Sequence, residues 1–438
     1  MASENYFSSS SEHVNSALTP TTLEARVFHW HTQASLWFSL GVGLLVIQLG
    51  SYLSPALGTR DAMLAIVIGS IVGAGLLAWT AHIGARTGLS SAGIMHHTFG
   101  SRFARLPVLL NIAQLIGWTT FELVIMRDGS VAIAKEALGW DASGMGGTLA
   151  FTALWGGVLA LLLAGSMVTL VRKTLARYAL PLVIASLLWL TYQFGMQAQA
   201  NGWDAFWSRA GNGSMGWPSA LDLVIAMPVS WLPLVADYAR FGRSPRGALG
   251  GTWVGYALAN VWCYALGLLV VSVAAPGASL VGVLLLAQGG LVALSLILVD
   301  EIDNAYGDVH SASVSAHSLH TAWTVRGWGL VIAVGCTALA LVLPMHDLEP
   351  FLLLLSSVFV PLFGVILGRM GTPGGAASQD KTVDWSAAVL WLAGIALYHA
   401  LSQWAPQWGA ALPTLAVTFV LAWATRQKQS LSAHRSDT

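Results

Sequence analysis

Runs of largely apolar residues alternate along this chain with short polar stretches, and most runs reach the roughly 20 residues that a helix needs to cross a hydrocarbon core. Twelve such runs can be marked, at roughly 35 to 53, 62 to 84, 107 to 127, 147 to 167, 177 to 196, 220 to 240, 249 to 274, 287 to 310, 325 to 344, 350 to 369, 384 to 402 and 408 to 425. The pattern predicts an all-α polytopic membrane protein of twelve transmembrane helices. Two runs are interrupted near their middle, the first by Gly41-Val42-Gly43 and the sixth by Pro228, Ser230 and Pro233. Glycine loosens a helix and proline removes a backbone donor, so both are expected to unwind within the membrane. Freed backbone groups are tolerated there only against protein or a cavity.

The two interrupted runs lie five spans apart. An odd offset means that the second half enters the membrane upside down, as in an inverted repeat. The expected organisation is a tail over 1–30, a first five-helix unit over 31–200 and a second, inverted unit over 215–370. A linker over 371–383, two further helices within 384–425 and a tail over 426–438 complete it.

Composition agrees with a lipid-solvated chain. Of 438 residues, 55% are hydrophobic and 9% charged, against about 25% charged in soluble domains. The formal net charge is zero and no basic tract suggests a nucleic-acid partner. Cytoplasmic loops collect Lys and Arg. With both termini inside, all of these residues except Arg60, Arg127, Lys135 and Arg209 fall on the cytoplasmic side, which predicts a multi-pass plasma-membrane protein, of the bacterial inner-membrane kind, with cytoplasmic termini. The first 30 residues lack the basic-then-apolar pattern of a cleaved signal, so an uncleaved tail is expected.

The polar exceptions inside the apolar runs carry the chemistry. The eighth run leads into Asp300, Glu301, Asp303 and Asn304. An ionisable residue at the bilayer centre costs about 3 kcal/mol on insertion scales and by default marks an ion or substrate path. Asp300, Asp303, Asn304 and Gly307 stand at i, i+3, i+4 and i+7 and share one helical face, with Glu301 about 100° away. The alternative is that the helix stops near Val299 and leaves its acids among the headgroups. The third run carries Glu122 near its centre, one turn beyond Trp118. Most of the 20 tryptophans belong in interfacial belts, but Trp118 and Trp231 lie mid-span and point to a cavity. Asp237 and Arg240 can pair at the cytoplasmic mouth. Cys263 and Cys336 both sit in apolar runs, and His96, His97, His310, His317 and His320 read as solvated loop residues without metal-ligand spacing.

These residues resemble the nucleobase:cation symporter family. The resemblance rests on RTGLS at Arg86 to Ser90 followed by Phe99-Gly100, on Trp118 four residues before Glu122, and on DYAR at Asp237 to Arg240. The stretches MPVSWLPLVADYAR and DEIDNAY are most similar to the branch called CytX, hydroxymethylpyrimidine transporters. The resemblance implies a LeuT-type core of two inverted five-helix repeats plus two C-terminal helices, working by alternating access. It implies a heterocyclic substrate between Trp118 and Trp231, polar contacts from Glu122, Asp303 and Asn304, and an approach of the substrate to Gly43. A cation, Na+ or H+, would lie near Gly41, Ser295 and Asp300, with no other metal and no cofactor. Two departures stand out: Glu122 replaces the amide of hydantoin carriers, and the hydroxyl residues expected for sodium on the eighth span are not clearly reproduced.

The expected protein is thus a cation-coupled importer of a small nitrogen heterocycle, hydroxymethylpyrimidine or a related aminopyrimidine, and not an enzyme. A cytosine, purine or hydantoin permease, an amino-acid carrier of the same fold, and a channel are the other readings. A channel would need a continuous polar lining, and an enzyme a nucleophile with its base or a metal box.

Overall fold

The computed structural model describes residues 17–165, 180–275, 277–343, 348–372 and 381–436, without the side chains beyond 426. The first 16 residues, Arg172, Lys173, Arg177 and most of the expected linker lie outside the described residues. In chain order the helices are α1 (Trp30–Ser39), α2 (Leu44–Ala56), α3 (Thr59–Thr87), α4 (Ser91–Phe99), α5 (Arg105–Leu138), α6 (Met145–Leu163) and α7 (Leu180–Asn201). There follow α8 (Trp203–Trp207), α9 (Trp217–Ser230), α10 (Leu232–Ala239), α11 (Pro245–Val273), α12 (Leu280–Leu286) and α13 (Gly290–Leu319). The last four are α14 (Val325–Val342), α15 (Leu348–Met370), α16 (Trp385–Trp404) and α17 (Ala411–Ser436).

Among the described residues eight helical segments are long and apolar enough to cross a bilayer, α9 and α10 counting as one, and the bent pair α1 and α2 makes a ninth. The other three expected spans correspond to α7, to α13, which carries the acids, and to α17, whose apolar part is confined to Ala411–Arg426. Helices overshoot the apolar runs because a helix continues past the hydrocarbon core as long as its polar residues reach water or protein. Thus α13 runs to Leu319 rather than to 310, and His310 and His317 lie within a helix, as do His96 and His97 in α4, not in loops. The helix also passes through its acidic cluster without a stop at Val299.

Both predicted interruptions are present. The first span bends by 61° between Ser39 and Leu44, and the sixth is divided at Trp231. RTGLS acts as a stop followed by a start. Gly88 takes φ +74°, a left-handed conformation suited to glycine, and ends α3. The Ser90 hydroxyl then accepts the Gly93 N–H and caps α4.

The helices sort into two packed groups. In one, α11 packs on α1, α2 and α3, and α3 packs on α9 and α10; in the other, α13 packs on α5 and α14, and α6 on α5 and α14. Exchanging each span with the one five places later returns the same set of contacts, as an inverted repeat requires. Helices α15, α16 and α17 pack on one another. Gly251 and Gly255 bring α11 against the backbone of α1, where a Cβ at Gly255 would collide with the Ala34 carbonyl. Three arginines from different spans gather at one end: Arg86 reaches the Met370 carbonyl, Arg426 the Arg369 carbonyl at 3.2 Å, and Arg369 pairs with Asp384 at 2.8 Å. At the opposite end the Arg209 carbonyl accepts the Thr59 N–H, next to Arg60.

Candidate functional site

The two helix breaks and the polar faces of α5 and α13 meet in one cavity between the helix groups. Its walls are Gly43, Leu45 and Val46 from the first span, Ser230 and Trp231 from the sixth, Trp118 and Glu122 from α5, and Glu301, Asn304 and Asp308 from α13. The walls stand close together and leave a cavity of about 10 Å³ between them, barely room for one water molecule. Both indoles are nearly buried, at 6% exposure for Trp118 and 7% for Trp231. Each is held edge-on from behind, Trp118 by Phe351 of α15 at 5.2 Å between ring centroids and Trp231 by Trp37 of α1 at 6.0 Å. The two aromatic faces are therefore fixed by neighbours on separate helices before anything binds.

The unwound backbone is satisfied by side chains from across the cavity. Asn304 Nδ2 donates to the Val42 carbonyl at 3.2 Å and to Glu301 Oε2 at 3.2 Å. The Leu44 N–H, at the start of α2, donates to Glu301 Oε1. A helix N-terminus presents unsatisfied N–H groups and a positive dipole end, which favours an anionic oxygen there. Gly43 leaves room for this closeness: a Cβ at that position would stand 3.2 Å from both Glu301 carboxyl oxygens and press the carboxyl away. At the other break, Gln114 Nε2 donates to the Ser230 carbonyl at 3.3 Å and Asn111 Nδ2 to the Pro233 carbonyl at 3.1 Å.

The structure brings Gly43, Trp118, Glu122, Trp231 and Asn304 together, and it sends the other sequence-selected residues elsewhere. Asp303 is not among the cavity residues and is half-buried on another face of α13. Asp300 is buried and accepts the Ser39 hydroxyl at 2.9 Å, beside the first break rather than in the cavity. Gly41 packs on α11, where a Cβ would meet Ala259 at 2.8 Å. The Ser295 hydroxyl donates to the Leu291 carbonyl of its own helix at 2.7 Å.

Sequence reasoning set Glu301 off the shared polar face and read Ser230 only as part of the break, and it did not single out Asp308, Asn111 or Gln114. Asn304 belongs to two overlapping helical faces, and the rotation of α13 selects the one with Glu301 and Asp308 instead of the one with Asp300 and Asp303. A signal was present in Ser311 and Ser315, which extend the chosen face. Ser311 donates to Asp237, and Ser315 accepts from Asn111 at 3.1 Å. Asn111, Gln114, Trp118 and Glu122 likewise form one continuous stripe at helical spacing. Asp237 also accepts the Ser91 N–H at 3.1 Å, tying the end of the sixth span to α4 and α13 with Arg240 nearby.

Aromatic walls and a few convergent polar groups between two broken helices are the lining that a small flat polar molecule needs, and the walls must part to admit one. The comparisons with known proteins agree with that architecture. Mhp1, a nucleobase-cation-symport-1 family transporter solved in a closed conformation with bromovinylhydantoin bound, superposes with a TM-score of 0.76 over 94% of each chain at 15% identity. MhsT, solved with L-phenylalanine, superposes at 0.60 over 89% of this chain and 98% of its own. Both show the LeuT-type fold. Cytosine permease of Escherichia coli K12 is 26% identical over 364 residues, 80% of this chain and 81% of the permease. The family model described as permease for cytosine/purines, uracil, thiamine and allantoin matches residues 20–424. With the fold, the broken helices and the match over nearly its whole length in agreement, the chain belongs to that family of multi-pass membrane permeases, the nucleobase:cation symporters.

Proposed function

We propose that this permease is a cation-coupled importer of a small aminopyrimidine, hydroxymethylpyrimidine or a close relative, working by alternating access in a plasma membrane of the bacterial inner-membrane kind with both termini cytoplasmic. The observation that carries the reading is the single cavity in which Trp118 and Trp231 meet Glu122, Glu301 and Asn304. Two fixed indoles offer stacking of roughly 0.5 to 1.5 kcal/mol per pair beyond area burial. Carboxyl and amide groups between them can accept from an exocyclic amine and, where protonated, donate to a ring nitrogen. Glu122 in place of an amide favours a ring edge rich in N–H. Asp300, held by Ser39 at the first break, is a second carboxyl that a coupling cation can use. The clustering of basic residues at one end supports the orientation.

The test is thermal stabilisation of the purified protein by a panel of pyrimidines, purines, hydantoins and amino acids, with and without sodium. Binding to the native state raises stability with the logarithm of ligand concentration over Kd. Hydroxymethylpyrimidine and other aminopyrimidines are expected to give the largest shift. A larger shift from hydantoins or amino acids would replace the substrate assignment.

A further inference from the structure

The hydrogen bonds around the cavity leave some of its polar atoms without a protein partner. Glu301 accepts from the Leu44 N–H and from Asn304 Nδ2, and Asn111 and Gln114 hold the carbonyls of the second break. Glu122 Oε2 and Asn304 Oδ1 receive no donor, and Trp118 Nε1 meets no acceptor. Asp308 goes further. It lines the cavity and is 3% exposed, yet no group among the described residues donates to its carboxyl. The unmatched groups of the lining are therefore mostly acceptors.

Position separates Asp308 from the carboxyl of the first break. Glu301, Asn304 and Asp308 stand at i, i+3 and i+7 on one face of α13, with about 10.5 Å of helical rise between the first and the last. Glu301 lies against Gly43 and Leu44. Asp308 lies at the other end, next to Gly307, where a Cβ would stand 3.9 Å from Cζ3 of Trp231. The two ends are far enough apart that different groups of one ring-sized ligand must meet them. No Lys, Arg or His lines the cavity among the described residues, so no protein cation serves Asp308. A buried carboxyl without a donor lowers native stability. A ligand that supplies the donor accounts for such a group.

We propose that Asp308 is a specificity residue: it accepts a hydrogen bond from a second donor on the substrate, an O–H or N–H beyond the one that Glu122 reads, and so restricts binding to heterocycles with two donor groups. For hydroxymethylpyrimidine the amine faces Glu122 and the hydroxyl faces Asp308. A carboxyl accepts whether it is protonated or ionised, so the contact does not depend on its charge. This deepens the carrier reading and rests on it.

The experiment uses the purified full-length protein and two probes, hydroxymethylpyrimidine and the analogue in which methyl replaces its hydroxymethyl group, with Kd taken from ligand-induced thermal stabilisation. The parent protein is expected to bind the hydroxyl compound about tenfold to a hundredfold more tightly than the analogue. Asp308→Leu is expected to bring the two affinities together by weakening only the hydroxyl compound. Asp308→Asn should keep part of the ratio through its amide oxygen, and Glu122→Gln should keep all of it. A ratio that survives in Asp308→Leu, or that falls as far in Glu122→Gln, overturns the proposal. The second measurement needs no heterocycle: the ligand-free midpoints of Asp308→Leu and Asp308→Asn are expected to equal or exceed that of the parent. If Asp308→Leu fails to fold, Asp308→Asn decides both measurements. A lower midpoint for Asp308→Asn would make Asp308 a carboxyl held for the fold and overturns the proposal. Stabilisation of the parent by sodium chloride over choline chloride, abolished in Asp308→Asn, would give the carboxyl to a cation and also overturns it. Failure of both pyrimidines to bind the parent would count against the aminopyrimidine reading, while the ligand-free midpoints still decide whether Asp308 is held for a ligand or for the fold.

Discussion

Gly43 and Glu301 show how closely the site is built at the scale of single residues. The glycine has an extended backbone that any residue could adopt, so its importance is the space it leaves for a carboxyl. Gly43→Ala should fold normally yet weaken substrate binding by about tenfold or more, roughly 1.4 kcal/mol, because the added methyl displaces Glu301 from the Leu44 N–H; a titration of ligand-induced stabilisation would measure it. The tryptophans give a complementary prediction. Trp118→Ala and Trp231→Ala should each remove tight uptake while expression persists, and the Phe variants should retain part of it. Trp404, 81% exposed, is the control whose loss should matter little. Unimpaired transport by both Ala variants would end the sandwich arrangement.

Discontinuity is what matters at the scale of the element. A helix interrupted in a membrane leaves carbonyls that lipid cannot satisfy, and here α5 answers with Asn111 and Gln114, two turns and one turn before Trp118. The same helix thus holds the sixth-span break and presents an aromatic face to the cavity. Replacing Gln114 by Leu should destabilise the protein by about 1 to 3 kcal/mol, the cost of a buried polar group left without its partner. It should also loosen the break, so protease or hydrogen-exchange protection around Ser230 should fall more than elsewhere. A uniform loss of protection would mean that Gln114 only packs.

At the scale of the whole molecule, α4 packs against helices of both groups, α10 on one side and α5 and α13 on the other. Burial, with nearby Arg105 and His97, holds His96 in α4 down at about 4 against an ordinary 6.5. Its native state therefore binds fewer protons than the unfolded chain between those values. Stability is full above about pH 6.5 and declines as pH falls toward 4. The thermal midpoint should drop across that window in the parent protein and drop less in His96→Gln; equal slopes in the two would assign the acid sensitivity to other groups. His97, also lowered by burial, acts in the same direction.

The sequence by itself determined roughly where the spans run and that Gly41-Val42-Gly43 and the proline-flanked Trp231 break two of them, and it set apart Trp118, Glu122 and the acidic stretch of α13 as exceptions within apolar runs. Those features are local: apolar length sets a span, and proline and glycine act on their own turn. Tertiary structure decided which carboxylate faces the cavity. With acids at 300, 301, 303 and 308 spread over nearly half the circumference of α13, periodicity fixes their angles to one another but not the rotation of the helix against its neighbours. That rotation follows from packing on α5 and from the bonds that Ser311 and Ser315 make to Asp237 and Asn111, contacts between residues far apart in the chain. The same holds for Glu122 and Glu301, far apart in the chain, which line one cavity because spans 3 and 8 pack face to face.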